Sequence, residues 1–198
     1  MVKKIVLLAV LALALPLAAF ASSSIDFTNA GGTLSGGAGG FTLTGSNLIM
    51  VGGITGSNLG SLSFTTGAFT SGSAKSGGTL AAGGTFTITG NGTNGVPNGV
   101  IFSGTFSSPP ASPLTWTLVT LGDGSHQYTL SGAINDASGR VGATVQLTLN
   151  TGKGYFHGSV GVSSGDTSLS VPEPGTLSLL GTGLIGLAGV IRRKLSLS

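Results

Sequence analysis

The clearest order along this chain is alternation at period two. Phe41-Thr42-Leu43-Thr44, Phe86-Thr87-Ile88-Thr89 and residues 114–121, 126–134 and 143–151 each set apolar or β-branched positions against threonine or glutamine. Such a pattern predicts strands with one dry and one wet face. In the best instance Val145, Leu147 and Leu149 fall on one face and Thr144, Gln146 and Thr148 on the other. Between residues 22 and 171 no window carries a helical period. Turn chemistry then joins the runs. Gly122-Asp123-Gly124-Ser125 predicts a hairpin between residues 114–121 and 126–134, and Thr151-Gly152-Lys153-Gly154 one between 143–150 and 155–162. Residues from about 100 to 162 thus read as a meander. The first half is broken by Gly36-Gly37-Ala38-Gly39-Gly40, Gly52-Gly53, Gly77-Gly78 and Gly83-Gly84, which predicts looser elements because glycine loses the most backbone entropy on folding.

One echo is visible within that half. Gly31-Gly32-Thr33-Leu34 leads to Phe41-Thr42-Leu43-Thr44, and Gly77-Gly78-Thr79-Leu80 leads to Phe86-Thr87-Ile88-Thr89. Two copies fall short of a solenoid, which needs three or more, so they are expected to be similar strand-turn units of one sheet, with a β-helix as the competing architecture. The fold expected for residues 22–170 is all-β, an antiparallel sandwich or meander of short Gly/Thr/Ser-rich strands. Trp116 shares a strand face with Leu114 and Leu118 and is expected in the core.

Both ends depart from this pattern. Lys3-Lys4, the apolar run 5–18 and Ala19-Phe20-Ala21 have the charged start, greasy middle and small-x-small exit of a secretory signal. Residues 1–21 are therefore expected to be a signal helix, cut by signal peptidase after Ala21. The last segment, 171–198, opens on Val171-Pro172-Glu173-Pro174, runs uncharged from 176 to 191 and ends in Arg192-Arg193-Lys194. A helix over 176–191 would span about 24 Å, enough for a marginal transmembrane segment. Basic residues at both ends place everything between them outside the cytoplasmic membrane.

Charge takes its meaning from these ends. The chain has 198 residues, a formal charge of +3 and only 7% charged residues, which would raise the question of nucleic acid. Between the two end segments, however, only Lys75, Arg140 and Lys153 face Asp26, Asp123, Asp136 and Asp166. Three scattered cations cannot neutralise a run of phosphates, so nucleic acid is excluded as a partner. The chain has no cysteine, which removes disulfides, thiolate metal sites and cysteine catalysis.

A Val-Pro-Glu-Pro motif, a short glycine-bearing apolar helix and a terminal Arg-Arg-Lys cluster, in that order, closely resemble the PEP-CTERM sorting signal of Gram-negative bacteria. The resemblance implies recognition by an exosortase, a membrane-embedded cysteine protease or transpeptidase. It further implies processing near Pro172-Glu173-Pro174 and transfer to the cell surface or extracellular matrix, with exopolysaccharide as an associated partner. Val171, Pro172, Glu173 and Pro174 would be recognised residues, with Arg192, Arg193 and Lys194 as the stop-transfer cluster. The prolines suit that role, since each fixes its own φ and biases the residue before it away from helix. Ser178, Thr182 and Gly186 recur at four-residue spacing and form a small-residue seam expected to dock on the enzyme's helices.

Motifs for other chemistry are weak. Gly161-Val162-Ser163-Ser164-Gly165 has the form of a nucleophile elbow, but so glycine- and serine-rich a chain yields such a match by chance. Both His126 and His157 also precede the serine, the wrong order for that hydrolase fold. Gly181-Thr182-Gly183-Leu184-Ile185-Gly186 has the dinucleotide spacing without a strand before it. His157 and Tyr155 are expected to face solvent if Phe156, Val160 and Val162 face the core. The threonines at 42/44, 85/87/89 and 115/117 are ordinary solvent-face strand residues. The expectation is a non-enzymatic exported surface or matrix protein without cofactor or metal, a glycan- or surface-binding module being the alternative.

Overall fold

The computed structural model describes residues 23–107, 113–139 and 141–171. The signal helix, the transmembrane helix and the basic tail expected at the two ends lie outside the described residues. The compact unit Ser24–Ser170 is built from strands. In chain order they are β1 (Ser23–Ala30), β2 (Thr33–Gly37), β3 (Gly40–Val51), β4 (Ile54–Thr55), β5 (Gly60–Thr65), β6 (Phe69–Ser73) and β7 (Gly77–Leu80). There follow β8 (Gly83–Asn91), β9 (Asn98–Phe106), β10 (Leu114–Thr120), β11 (His126–Asn135), β12 (Val141–Asn150), β13 (Ser159–Gly161) and β14 (Ser164–Val171).

Several of these strands are halves of longer, bent staves. β1 and β2 run along β3 in one register, with Ala30 opposite Asn47 and Thr33 opposite Thr44 across Gly31-Gly32. β5 and β6 pair successively with β8 and β7, and β8 and β7 in turn pair with β9 and β10. β11 receives β9 near one end and β10 along the other. β12 lies between β11 and β14, while β13 and β14 return to β2 and β1. Each stave thus pairs with the next, and the last with the first: a closed eight-stranded antiparallel barrel.

The meander holds and the sandwich does not. Alternation reports that a strand has one buried face, and a sandwich and a barrel satisfy it equally. Closure depends on whether the first and last strands find each other, and here β14 and β13 supply the ladders that would otherwise leave β1 and β2 as open edges.

The glycine-rich first half is as fully stranded as the second, and β3 has 12 residues. Its glycines sit where staves bend and backbones crowd. Gly32 has φ +84°, and a Cβ there would lie 2.6 Å from the Ser46 nitrogen. At the β5/β6 corner a Cβ on Gly67 would lie 2.5 Å from the Ala81 oxygen. Sharp barrel corners need such residues.

The two echo segments diverge for the same reason. In the first, Gly37 pairs with Gly40 in a tight hairpin between β2 and β3. In the second, β7 and β8 belong to one stave bent at Ala81-Ala82.

Inward-facing residues fill the barrel. Leu48, Leu62, Ile88 and Phe27 occupy the end where the chain enters, and Phe64, Phe86 and Phe106 pack in the middle with ring centroids 5.5–6.2 Å apart. Phe41, Trp116, Tyr128 and Phe156 close the opposite end, Trp116 stacking on Tyr128 at 4.9 Å. Full burial of each such side chain is worth about 1.5–3 kcal/mol, and each favourable ring pair about 0.5–1.5 kcal/mol more. The expected core placement of Trp116 is met, at 1% exposure.

Outward positions carry polar side chains, many of them hydroxyls, in rows. One such row runs Thr79, Thr115, Ser131, Gln146, Asp166 across β7, β10, β11, β12 and β14.

Candidate functional site

Because neighbouring staves alternate in direction and β13 is antiparallel to β2, β1 begins and β14 ends at the same rim. That entry rim also carries the connections at 52–59, 92–97 and 136–139. The far rim carries Ala38-Gly39, residues 74–76, 121–125 and 151–158.

The far rim gathers most of the body's chemically distinctive side chains. Tyr155, 41% exposed, stacks on His126 at a centroid distance of 4.2 Å, and the Lys75 ammonium lies 4.8 Å from the Tyr155 ring centre. His126 is itself buried, and its Nδ1 lies 3.2 Å from the Gly154 carbonyl oxygen, to which a protonated Nδ1 donates. The Tyr128 hydroxyl donates to the Lys75 carbonyl at 2.6 Å and accepts from the Phe156 N–H at 3.2 Å. The Trp116 indole N–H donates to the Ala74 carbonyl at 2.8 Å. These bonds tie the 74–76 and 151–158 connections to strands β10 and β11. With His126 and Lys75 against its ring, Tyr155 acts as part of a clamp.

The predicted turn residues have local tasks. Asp123 accepts from both the backbone N–H and the hydroxyl of Ser125, and these bonds hold its carboxyl below the ordinary aspartate range. Asp136 accepts from Ser138 in the same way. His157 and Tyr155 face solvent, while Phe156 and Val162 are buried, as expected. The second predicted hairpin is corrected. Residues 155–162 do not return along β12; only Ser159–Gly161 is a strand, and it pairs with β2. The stretch loops across the far rim, because Phe156 turns inward to pack on Phe41 and Trp116. Ser163 of the Gly161–Gly165 match lies between β13 and β14, and its N–H bonds the Thr148 carbonyl. Among the described residues no three acidic or histidine side chains converge as metal ligands.

An open groove of about 710 Å³ lies on the outer wall, lined by Asp26, Met50, Thr144, Gln146, Asp166 and Ser168 among others. Asp166, one of its lining residues, accepts from the Thr28 hydroxyl at 2.9 Å. Neither this groove nor the Lys75–Tyr155–His126 clamp emerges from sequence alone. Each joins residues from distant staves, and only the cross-strand register reveals the neighbours.

Of the sorting residues, Val171 is the last residue of β14. Ala19, Ala21, Pro172, Glu173, Pro174, Arg192, Arg193 and Lys194 lie outside the described residues, as do the Ser178–Thr182–Gly186 seam and the dinucleotide-like stretch at 181–186. The segment that begins at the end of β14 matches the family model of the PEP-CTERM protein-sorting motif over residues 170–194. No curated protein and no solved structure matches the chain. The match agrees with the order of Val-Pro-Glu-Pro, apolar run and basic cluster: the chain carries a PEP-CTERM sorting motif, the mark of an exported protein targeted to an exosortase.

Proposed function

We propose that the mature protein is a non-enzymatic structural component of the cell surface or extracellular matrix, delivered there by exosortase processing of its tail. Signal peptidase removes residues 1–21, and the apolar segment 176–191 holds the chain in the cytoplasmic membrane until the sorting enzyme acts. One observation carries the structural reading: of the three aromatic residues best suited to binding a ligand, Trp116, Tyr128 and Tyr155, the first two are spent on the core and only Tyr155 is exposed. Trp116 and Tyr128 are 1% and 0% exposed, and their polar atoms bond backbone carbonyls within the barrel. The barrel is thus a solid, weakly charged body with a hydroxyl-covered wall. Such a surface suits a wet polysaccharide matrix.

A second reading, a glycan- or surface-binding module, is favoured by the outer groove with its row of Ser131, Gln146 and Asp166. One experiment serves both. Mass spectrometry of protein recovered from culture matrix, with and without the sorting enzyme, is expected to find the tail removed only in the presence of the enzyme. An intact tail in both samples refutes the sorting mechanism. Release of the processed protein by polysaccharide digestion alone moves the body's role to the second reading.

A further inference from the structure

The last barrel strand and the sorting motif overlap in sequence. β14 runs Ser164–Val171, the compact unit extends to Ser170, and the sorting motif begins at residue 170. No spacer stands between barrel and signal. Both sides of β14 are engaged, by β12 through a ladder that reaches Ala143 opposite Leu169, and by β1. Leu169 also packs against the core. Pro172 has no N–H to offer and cannot continue the ladder. From Val171 to Pro174 the chain reaches at most about 11 Å, so the enzyme has to work close against the entry rim.

An enzyme that cuts near Pro172-Glu173-Pro174 holds its substrate extended, and extended peptides are gripped through the backbone N–H and C=O groups of successive residues. On the N-terminal side of the motif those groups belong to Leu169, Ser170 and Val171. We propose that this end of β14 is a shared element: it completes the barrel in the folded protein and leaves the sheet when the sorting enzyme grips the chain, so that the folded barrel restrains its own processing. The inference rests on the exosortase reading above. The restraint is local, because Leu169 is only partly buried and is the last rung of the β12 ladder, while Thr167 and the residues before it remain seated. End-strand rungs of this kind open well below the cost of global unfolding.

Two variants of the full chain, followed by pulse-chase in cells that contain the enzyme, test this. Inserting Gly-Ser-Gly-Ser-Gly-Ser between Leu169 and Ser170 supplies free chain ahead of an intact motif, and processing is expected to accelerate about threefold or more. The pair Ala143→Cys and Leu169→Cys, oxidised after export, ties the last rung, and processing is expected to slow about fivefold or more. The same linker, or a reductant, is expected to restore the rate. An oxidised pair processed at the unmodified rate overturns the proposal. So does a linker that brings no acceleration, and that arm decides alone if the cysteine pair fails to fold or to oxidise. A tail that stays intact in the unmodified chain with and without the enzyme instead overturns the exosortase reading on which the proposal stands.

Discussion

Tyr128 shows how much one polar atom can organise. Its ring is buried against Trp116, and its hydroxyl joins the Lys75 carbonyl to the Phe156 N–H, two groups far apart in sequence. Tyr128→Phe keeps the ring and removes both bonds, leaving a buried N–H without its acceptor. The expected loss is about 1–3 kcal/mol in a urea titration, with the slope unchanged. The inward direction of Tyr128 was legible at this scale, since period-two parity puts it on the face of Leu130. His126, at the start of the same strand, is buried in the structure. Its stacking partner Tyr155 and the acceptor for the Trp116 N–H were not legible, because both come from connections across the far rim. No local pattern encodes which loop lies over which strand.

At the scale of elements, the glycines carry the lesson. Read along the chain they are breaks; in the fold they are corners at which a stave bends without leaving the sheet. That is why the two echo segments, nearly identical in pattern, become a hairpin in one place and a single bent stave in the other. The seam between β14 and β1 depends on a further glycine. A Cβ on Gly165 would strike the Asn29 amide and come within 2.6 Å of Leu147 Cδ1. Gly165→Ala is expected to destabilise the barrel by about 1–3 kcal/mol through overpacking. Gly122→Ala, with no neighbour within 4 Å, is the matched control and is expected to fall within about 0.5 kcal/mol of the parent. Equal stabilities for the two variants in denaturant titrations would remove the steric account of the seam.

For the whole molecule the deciding event is closure. Strands β1 and β14 are neighbours, and the chain enters and leaves at one rim, so the barrel should tolerate having its ends joined and a new opening cut at the far rim. A circular permutant linking Val171 to Ser23 through a short Gly-Ser segment and opened within Gly122-Asp123-Gly124 is expected to keep its near-ultraviolet circular dichroism and to melt within about 8 °C of the parent barrel. Loss of the near-ultraviolet signal would show that the two ends are not adjacent. The same geometry gives the sorting signal its setting: it begins where the final stave ends, with no linker between.

What the sequence determined by itself was local or linear. Period-two alternation set the strands and their buried faces, and the ordered tail of Val171-Pro172-Glu173-Pro174, apolar run and basic cluster set the destination. Such signals are read within a few to about twenty residues, so no tertiary partner is needed to see them. The choice of barrel over sandwich, the use of glycines as corners and the assembly of the far-rim clamp were decided by tertiary structure alone. Each depends on pairing between strands as far apart as the first and the last, and alternation specifies a strand's buried face without specifying its neighbour.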